Sequence, residues 1–485
     1  MNILAIHTSH DGSISIVSDN NLIVHQQIDR FNKFKHDSIP SFELIQKIIN
    51  LKITFDTIIY TSLNLDSFYN WEDALINFNI INKDTKIVKY LHSEHHLFHK
   101  HCTYSFYDHK NVLVFDGDGA LKQNETEQIS LYINDNLKYF KSGKNIGKIY
   151  QQLSLIFFKK YFSENKLMAL STYGNFNEEL FKKFNIDFFN SEIICDNYED
   201  LAAIDFINTF QKWFESETIN ILKNYNKEEV LCLTGGCAQN ILNNSNLIDN
   251  GFKLEVDPMC TDQGISLGSV NYFLNKPIKL KSIYLGFEPT YNLNIFDESY
   301  KIITITKEEV VNILENNPIA IYQGKSEQGQ RGLGNRSLLI NPLLKNCKEL
   351  LNSIKKREWF RPYACTILEE ECDNYFYMNK KTSPYMLFVF KVKEIFNDLL
   401  KNILSKDKKC RIQTLNYKDN PNYYNLLKSF YNKTKIPIIL NTSLNLSGMP
   451  VAETLEDLKF ILDNSSLKYT YLPDINKLII NEKVQ

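Results

Sequence analysis

The sequence predicts a duplicated α/β domain around a ligand cleft, followed by a second α/β domain, on three observations. Apolar strand-like runs twice lead into a polar glycine turn and out through another strand. A buried strand ends in a Gly-Gly turn that opens a helix, and arginine, scarce elsewhere, gathers in the last third of the chain.

The elements follow in order. "NILAI" leads into "HTSHDG" and out through "SISIV", with "NLIVHQQ" continuing the meander after "SDNN". "EHHLFHKHCTYSFY" has helical character and contains neither proline nor glycine. "NVLVF" leads into "DGDGA", and "QISLYIN" and "LKYFK" complete a second meander. "EVLCLTGGCAQNILNN" reads as strand, Gly-Gly turn and helix start, exposing backbone N–H groups to an anionic ligand. This order resembles that of the sugar-kinase, actin and Hsp70 domains, which implies two ribonuclease H-like halves with a ligand cleft between them.

At 485 residues the chain has room for two or three domains. No apolar run is long enough to span a bilayer, and the start is strand-like, so neither a membrane span nor a signal peptide is expected. A net charge of −2 argues against wholesale nucleic-acid binding. Nine cysteines without a Cys-x-x-Cys pair read as reduced core thiols, which places the protein in the cytoplasm.

Lysine is the general cation here, and arginine occurs only as Arg30, Arg331, Arg336, Arg357, Arg361 and Arg411. A planar guanidinium grips carboxylate or phosphate oxygens in a way lysine does not, so each arginine is a site candidate. Ordinary ion pairing is the bland alternative. Four of the 17 glycines fall in "GKSEQGQRGLG", Gly324 to Gly334, where backbone needs unusual φ or close approach to a ligand.

His95 and His99, four apart, share one helix face, a spacing used by metal sites and also found on solvated helices. Two imidazoles do not close a shell, so carboxylates must join. Asp116 and Asp262, each in a turn after an apolar strand, are the candidates, with Asp118 in reserve. Such a nitrogen and oxygen set suits iron, manganese or zinc.

The succession "HDGS", "DRFNKFKH", "EHHLFHKH", "FDGDG", "ENKLMALSTYG", "TGGCAQN", "DPMCTDQG", "KSEQGQRGLGNRS", "KKREWFRPYA", "RIQTL" and "ILNTSLNLSG" covers nearly the whole chain. It resembles the O-carbamoyltransferases of antibiotic biosynthesis and nodulation-factor decoration. The resemblance implies a transfer domain over residues 1–285, similar to threonylcarbamoyl transferases, and a carbamoyl-adenylate-forming α/β domain over 300–485. Carbamoyl phosphate and ATP would give carbamoyl-adenylate in the second, and the first would pass the carbamoyl group to a hydroxyl of a small molecule or sugar.

The resemblance also implies roles. Arg331, Arg336, Arg361 and Arg411 would offset the crowded phosphate oxygens, helped by Lys325, Glu327, Ser337, Asn441, Thr442 and Ser443, with Mg²⁺ on the ATP. His95, His99, Asp116 and Asp262 would hold Fe²⁺ or another divalent transition metal. Gly235, Gly236 and Asn240 would line the nucleotide pocket, and Lys35 and Lys166 would neutralise phosphate. For the acceptor proton the choice is Asp11, with His10 beside it. A turn residue bonding its own backbone is the other reading of Asp11.

The pattern is not fully kept. Gln328, Gln330 and Gly332 replace the family's Phe, Pro and Ala, predicting a more polar and flexible loop, and "SKDKKCRIQ" departs from the usual approach to Arg411. Two other functions compete: a tRNA-directed threonylcarbamoyl transferase, which near-neutral charge disfavours, and a catalytically silent nucleotide-binding protein. The acceptor is not legible, and a homo-oligomer is compatible with the sequence.

Overall fold

The computed structural model describes residues 1–62, 66–91, 94–117, 121–122, 125–142, 145–190, 193, 195 and 197–484. Asp118 lies outside the described residues. The chain divides into two units, Met1–Asn32 with His36–Lys281, and Lys33–Lys35 with Ser282–Gln485.

The first unit is α/β and internally duplicated. Strands β1 (Asn2–His7), β2 (Ser13–Ser18) and β3 (Asn21–Gln27) form the expected meander, and β4 (Thr57–Ser62) and β5 (Lys86–Leu91) add parallel to β1, giving the order β3-β2-β1-β4-β5. The second sheet repeats this plan with β6 (Val112–Phe115), the short β7 (Leu121–Lys122), β8 (Glu125–Ile133), β9 (Asn136–Ser142), β10 (Val230–Thr234) and β11 (Lys253–Val256). There β6 and β8 pair antiparallel, β9 pairs β8, and β10 and β11 run parallel to β6. Continuous apolar runs such as "VLVF" and "VLCLT" suit strands covered on both faces.

Two helices bring the halves together. His95–Phe106 and Ile265–Phe273 pack on each other, and the latter also rests on β1, β2 and β4. Gly268 allows the contact, since a Cβ there would land on the carbonyl oxygen of Phe98. Ser266 fixes the height of the second helix, its hydroxyl lying 2.8 Å from those of both Ser13 and Ser15 on β2.

The second unit is a nine-stranded mixed sheet of β12 (Tyr300–Thr304), β13 (Ile319–Tyr322), β14 (Arg336–Ile340), β15 (Ala364–Leu368), β16 (Val389–Lys391), β17 (Lys409–Leu415), β18 (Ile438–Ser443), β19 (Tyr469–Leu472) and β20 (Lys477–Asn481). Their order is β12-β20-β19-β13-β14-β18-β15-β17-β16. Helices Lys307–Leu314 and Pro421–Thr434 lay Val310, Leu314, Leu426 and Phe430 on Ile319, Leu339 and Ile439. Each such fully buried side chain is worth roughly 1.5–3 kcal/mol. Thr306 and Glu309 form a capping box on the first helix, and Asn420 before Pro421 caps the second.

Candidate functional sites

In the first unit the polar residues stand where the parallel strands end, the usual ligand side of an α/β sheet. Asp116 follows β6, Gly235 follows β10, and Asp262 comes six residues after β11. Gly235 takes φ +89 and presses on the carbonyl oxygen of Phe115, so the β10 turn lies directly against the Asp116 turn.

His95, His99, Asp116 and Asp262 offer donor atoms that all lie within 4.8 Å of one another, a buried set that could hold a metal ion. His95 Nε2 is 3.0 Å from His99 Nε2, 3.3 Å from Asp262 Oδ1 and 3.4 Å from Asp116 Oδ2, and His99 Nε2 is 3.6 Å from Asp262 Oδ1. Ligands at about 2.1 Å from one ion stand roughly 3.0–3.4 Å apart as neighbours in octahedral or tetrahedral geometry, so the three distances from His95 fit and the 3.6 Å between His99 and Asp262 is slightly wide. Burial opposes charge on His95, yet Asp262 and Asp116 push it up to about 10. Burial likewise opposes both carboxylates, but the surrounding imidazoles hold each below the ordinary carboxylate value.

More histidines crowd the same carboxylate. His7 Nε2 and His10 Nε2 lie 3.6 and 3.4 Å from Asp262 Oδ2, and His7 Nδ1 is 3.0 Å from Thr61 Oγ1. Asp11 Oδ1 is committed to His36 Nδ1 at 2.5 Å. Asp11, the expected proton acceptor, thus has one of its oxygens held by an imidazole. His36 carries no role on sequence grounds alone; its one signal is the rarity of histidine, beside Lys35.

The nucleotide-pocket expectations separate. Gly236 lies against Asp116, since a Cβ there would sit 3.0 Å from Asp116 Oδ1. Asn240 instead caps the helix Ile241–Asp249, accepting from Asn243 N, and exchanges hydrogen bonds with Gln211. Lys166 Nζ sits over the Phe158 ring at 5.7 Å from its centroid.

In the second unit strand register explains how distant motifs meet. Arg411 on β17 pairs with Ala364 on β15, Ala364 with Asn441 on β18, and Ser443 with Ser337 on β14. Arg361 just before β15, Arg331 in the loop before β14, Arg411 and the end of "NTS" therefore share one end of the sheet. Burial lowers Arg411 well below the ordinary arginine value, and the charges of Arg331, Arg357 and Arg361 lower it further. Arg361 falls to about 9, through burial and then Arg357 and Arg331, with Glu358 acting the other way. Arg411 Nε is buried without a hydrogen-bond partner.

Lys355 joins this cluster, although nothing in the sequence distinguishes it among so many lysines. Burial lowers it well below the usual amine range, followed by Arg357, Lys35 and Arg361. Its Nζ donates to Ser443 O at 2.5 Å, Asn445 O at 3.0 Å and Asn445 Oδ1 at 2.7 Å, which clamps the end of β18. Asn441 Nδ2 donates to Thr366 Oγ1 and Gln413 Oε1, Thr442 is buried beside it, and Ser443 Oγ donates to Asn445.

Arg336 is braced by one nitrogen, and its Nε and Nη2 are buried without a hydrogen-bond partner. Its Nη1 donates to the carbonyls of Gln323, Gly324 and Asn335, and its guanidinium lies 3.9 Å over the Tyr322 ring. Burial opposes its charge, but Tyr322, Glu453 and Glu327 raise it above the ordinary value. Glu327 is likewise a loop brace, with Oε1 accepting from the backbone of Leu333, Asn335 and Arg336. Ser337 Oγ accepts from Gly334 N, and Lys325 faces Glu288 at 3.9 Å. The loop is thus pinned from beneath, and Gln328 is buried with its amide on Ser326, so polarity here brings order where the sequence predicted flexibility.

Comparison with known proteins places these sites in context. Residues 180–270 match the Carbamoyltransferase N-terminus and residues 310–478 the Carbamoyltransferase C-terminus. The uncharacterized protein MJ1051 of Methanocaldococcus jannaschii is 28% identical, over 93% of this chain and 94% of its own. Nodulation protein NolO of Bradyrhizobium diazoefficiens is 27% identical, over 75% of this chain and 74% of its own. Among solved structures, the ADPNP-bound activator of 2-hydroxyisocaproyl-CoA dehydratase from Clostridium difficile overlaps 57% of this chain and 95% of its own, at 12% identity and a TM-score of 0.36. Among the described residues no helix is long and apolar enough to cross a membrane.

Proposed function

Because this chain belongs to the carbamoyltransferase family and is a transferase of carbamoyl groups, we propose that it is an ATP-dependent O-carbamoyltransferase working through carbamoyl-adenylate. The second unit forms the adenylate from carbamoyl phosphate and ATP, and the first transfers its carbamoyl group to an alcohol or sugar hydroxyl. The supporting observation is the convergence of Arg331, Lys355, Arg357, Arg361 and Arg411 at one end of the second unit's sheet. A buried group of like charges is costly unless an anion joins it, and ATP with carbamoyl phosphate is a strongly anionic pair.

The residues divide the work. Arg331, Arg361 and Arg411 receive phosphate oxygens as the carbamoyl oxygen attacks the α-phosphorus, with Mg²⁺ accompanying the ATP. Lys355 holds Ser443 and Asn445 where the nucleotide docks. In the first unit Gly235 and Gly236 leave room for the adenylate, and Lys166 adds positive charge. His95, His99, Asp116 and Asp262 would hold Fe²⁺ or a similar ion, which supplies Lewis-acid polarisation of a donor oxygen when bound. The acceptor hydroxyl loses its proton through the imidazoles around Asp11. Nine free cysteines suit a reducing compartment, so we place the enzyme in the cytoplasm.

The test needs no acceptor. Purified protein with ATP, Mg²⁺ and carbamoyl phosphate should release pyrophosphate, and omission of carbamoyl phosphate should abolish that release. Pyrophosphate formation indifferent to carbamoyl phosphate would sink the adenylate route.

A further inference from the structure

His36 stands beside Asp11, next in sequence to the His10 that faces Asp262. Its Nδ1 meets Asp11 Oδ1 at 2.5 Å, and its backbone N–H donates to Asp29 Oδ2 at 3.2 Å. Its ring stacks on Phe162 with centroids 4.0 Å apart. All three partners in this stack of contacts take left-handed backbone: Asp11 at φ 54, His36 at φ 68 and Phe162 at φ 58. Such a conformation is rare for a bulky residue such as Phe, and strain of this kind collects at working sites. His10 cannot serve in the same way, because its Nε2 already faces Asp262.

We infer that His36 is a catalytic residue of the transfer step, taking the proton of the acceptor hydroxyl, and that Asp11 is its positioning residue. The inference rests on the carbamoyl-adenylate reading. An ionised carboxylate only accepts, so the hydrogen sits on Nδ1 and Nε2 presents its lone pair. Asp11 suits that role because it stays ionised. Burial works against its charge, but the hydrogen bond and charge of His36, and then His10, hold its carboxyl below the ordinary value. The His36 side chain is 17% exposed, which leaves a path for a hydroxyl.

The step balances without another reactant. The hydroxyl oxygen bonds to the carbamoyl carbon, and the bond from that carbon to the adenylate phosphate oxygen breaks. AMP leaves with the electron pair, and the hydroxyl proton passes to His36 Nε2 and then to solvent. Among the described residues, the groups that face His36 are Asp11 from the first turn, Asp29 from the segment after β3, and Glu164 and Phe162 from the stretch opening the helix Glu164–Ser171, while His10 acts on the same Asp11.

The experiment separates this step from the one before it. Protein charged with ATP, Mg²⁺ and carbamoyl phosphate is given water or glycerol as surrogate acceptor, and pyrophosphate and AMP are followed in a single turnover. In His36→Ala, AMP release should slow by about 10²- to 10⁴-fold. Added imidazole should restore part of it, and the acid limb of the pH–rate profile should vanish without imidazole and return with it. His36→Gln carries the test if the alanine variant melts early. AMP release at the parent rate, or a loss that imidazole does not restore while the acid limb persists, overturns the inference alone. No carbamoyl-phosphate-dependent pyrophosphate from the unaltered protein overturns the adenylate reading and this inference with it.

Discussion

Arg361→Gln should make the second unit more stable and chemically dead. The pKa of Arg361 falls from the ordinary arginine range to about 9, first through burial and then through Arg357 and Arg331. At about 1.4 kcal/mol for each tenfold change, keeping that charge costs the folded state roughly 5 kcal/mol. That value already includes Glu358, whose carboxylate lies 4.0 Å away; loss of the packed arginine stem offsets part of the cost, so the net gain on removing the charge is on the order of 1–2 kcal/mol. For a unit of this size that is roughly 2–8 °C in Tm. Differential scanning calorimetry with and without pyrophosphate reads both halves of the argument. The parent should gain about 3 kcal/mol at pyrophosphate concentrations 100-fold above its Kd, because the anion relieves the repulsion, and the variant should gain much less. Adenylate formation should disappear in Arg361→Gln, and also in Arg361→Lys, which restores charge without the fork. A variant that melts below the parent and responds equally to pyrophosphate would refute the idea that this cluster is an anion site.

Other consequences are sharper in one measurement each. Elemental analysis should find a transition metal in the parent and lose it in His95→Ala, and equal metal content in the two would remove His95 from the ligand set. Gly268→Ala should push the helix Ile265–Phe273 off Phe98, costing about 1–3 kcal/mol in urea unfolding and weakening metal binding because Asp262 moves with it. Asp463 accepts from Tyr300 Oη at 2.6 Å, Lys459 Nζ at 2.6 Å and Lys483 Nζ at 2.9 Å. Burial raises its carboxyl, but these donors hold it below the ordinary 3.8, so its stabilisation is complete above that value and fades as pH falls below it. Asp463→Asn should therefore cost ~0.5–1 kcal/mol at pH 7 and a shrinking amount in acid, whereas a gap that stays constant would exclude the linkage. Arg336→Lys should lower Tm through the loss of its bonds to three carbonyls, yet leave the pyrophosphate response intact.

The parts of this protein legible in its sequence are those fixed by local geometry. Strand, glycine turn and strand are short-range, so both meanders of the first unit could be read, and a helix places residues four apart on one face, so His95 and His99 could be paired. Asp116 could be named because it directly ends an apolar strand, and Asp262 because it lies in the turn that follows one. The pairing of Asp11 with His36 was not legible, since it depends on how a loop 25 residues further along folds back. Nor was Lys355, a cation of the commonest kind whose importance comes from the strand end it clamps.

Arginine shows where scarcity informs and where it misleads. In a chain that otherwise uses lysine, each arginine marks a place where a planar fork is needed, but not what the fork holds. Arg336 holds three backbone carbonyls through one nitrogen, Nη1, and lies over a tyrosine face, among carboxylates that raise its affinity for the proton. Arg361 and Arg411 sit among other cations that lower theirs. The sign of the surrounding charge separates the two cases: a buried cation among acids has its charge balanced by the fold, even where, as at Arg336 Nε and Nη2, a donor lacks a partner, while a buried cation among cations is held at a cost that a bound anion offsets. That sign is set by which strands lie side by side, Arg411 against Ala364 and Ala364 against Asn441. It is therefore a property of tertiary structure, and it divides arginines that the sequence presents as equals.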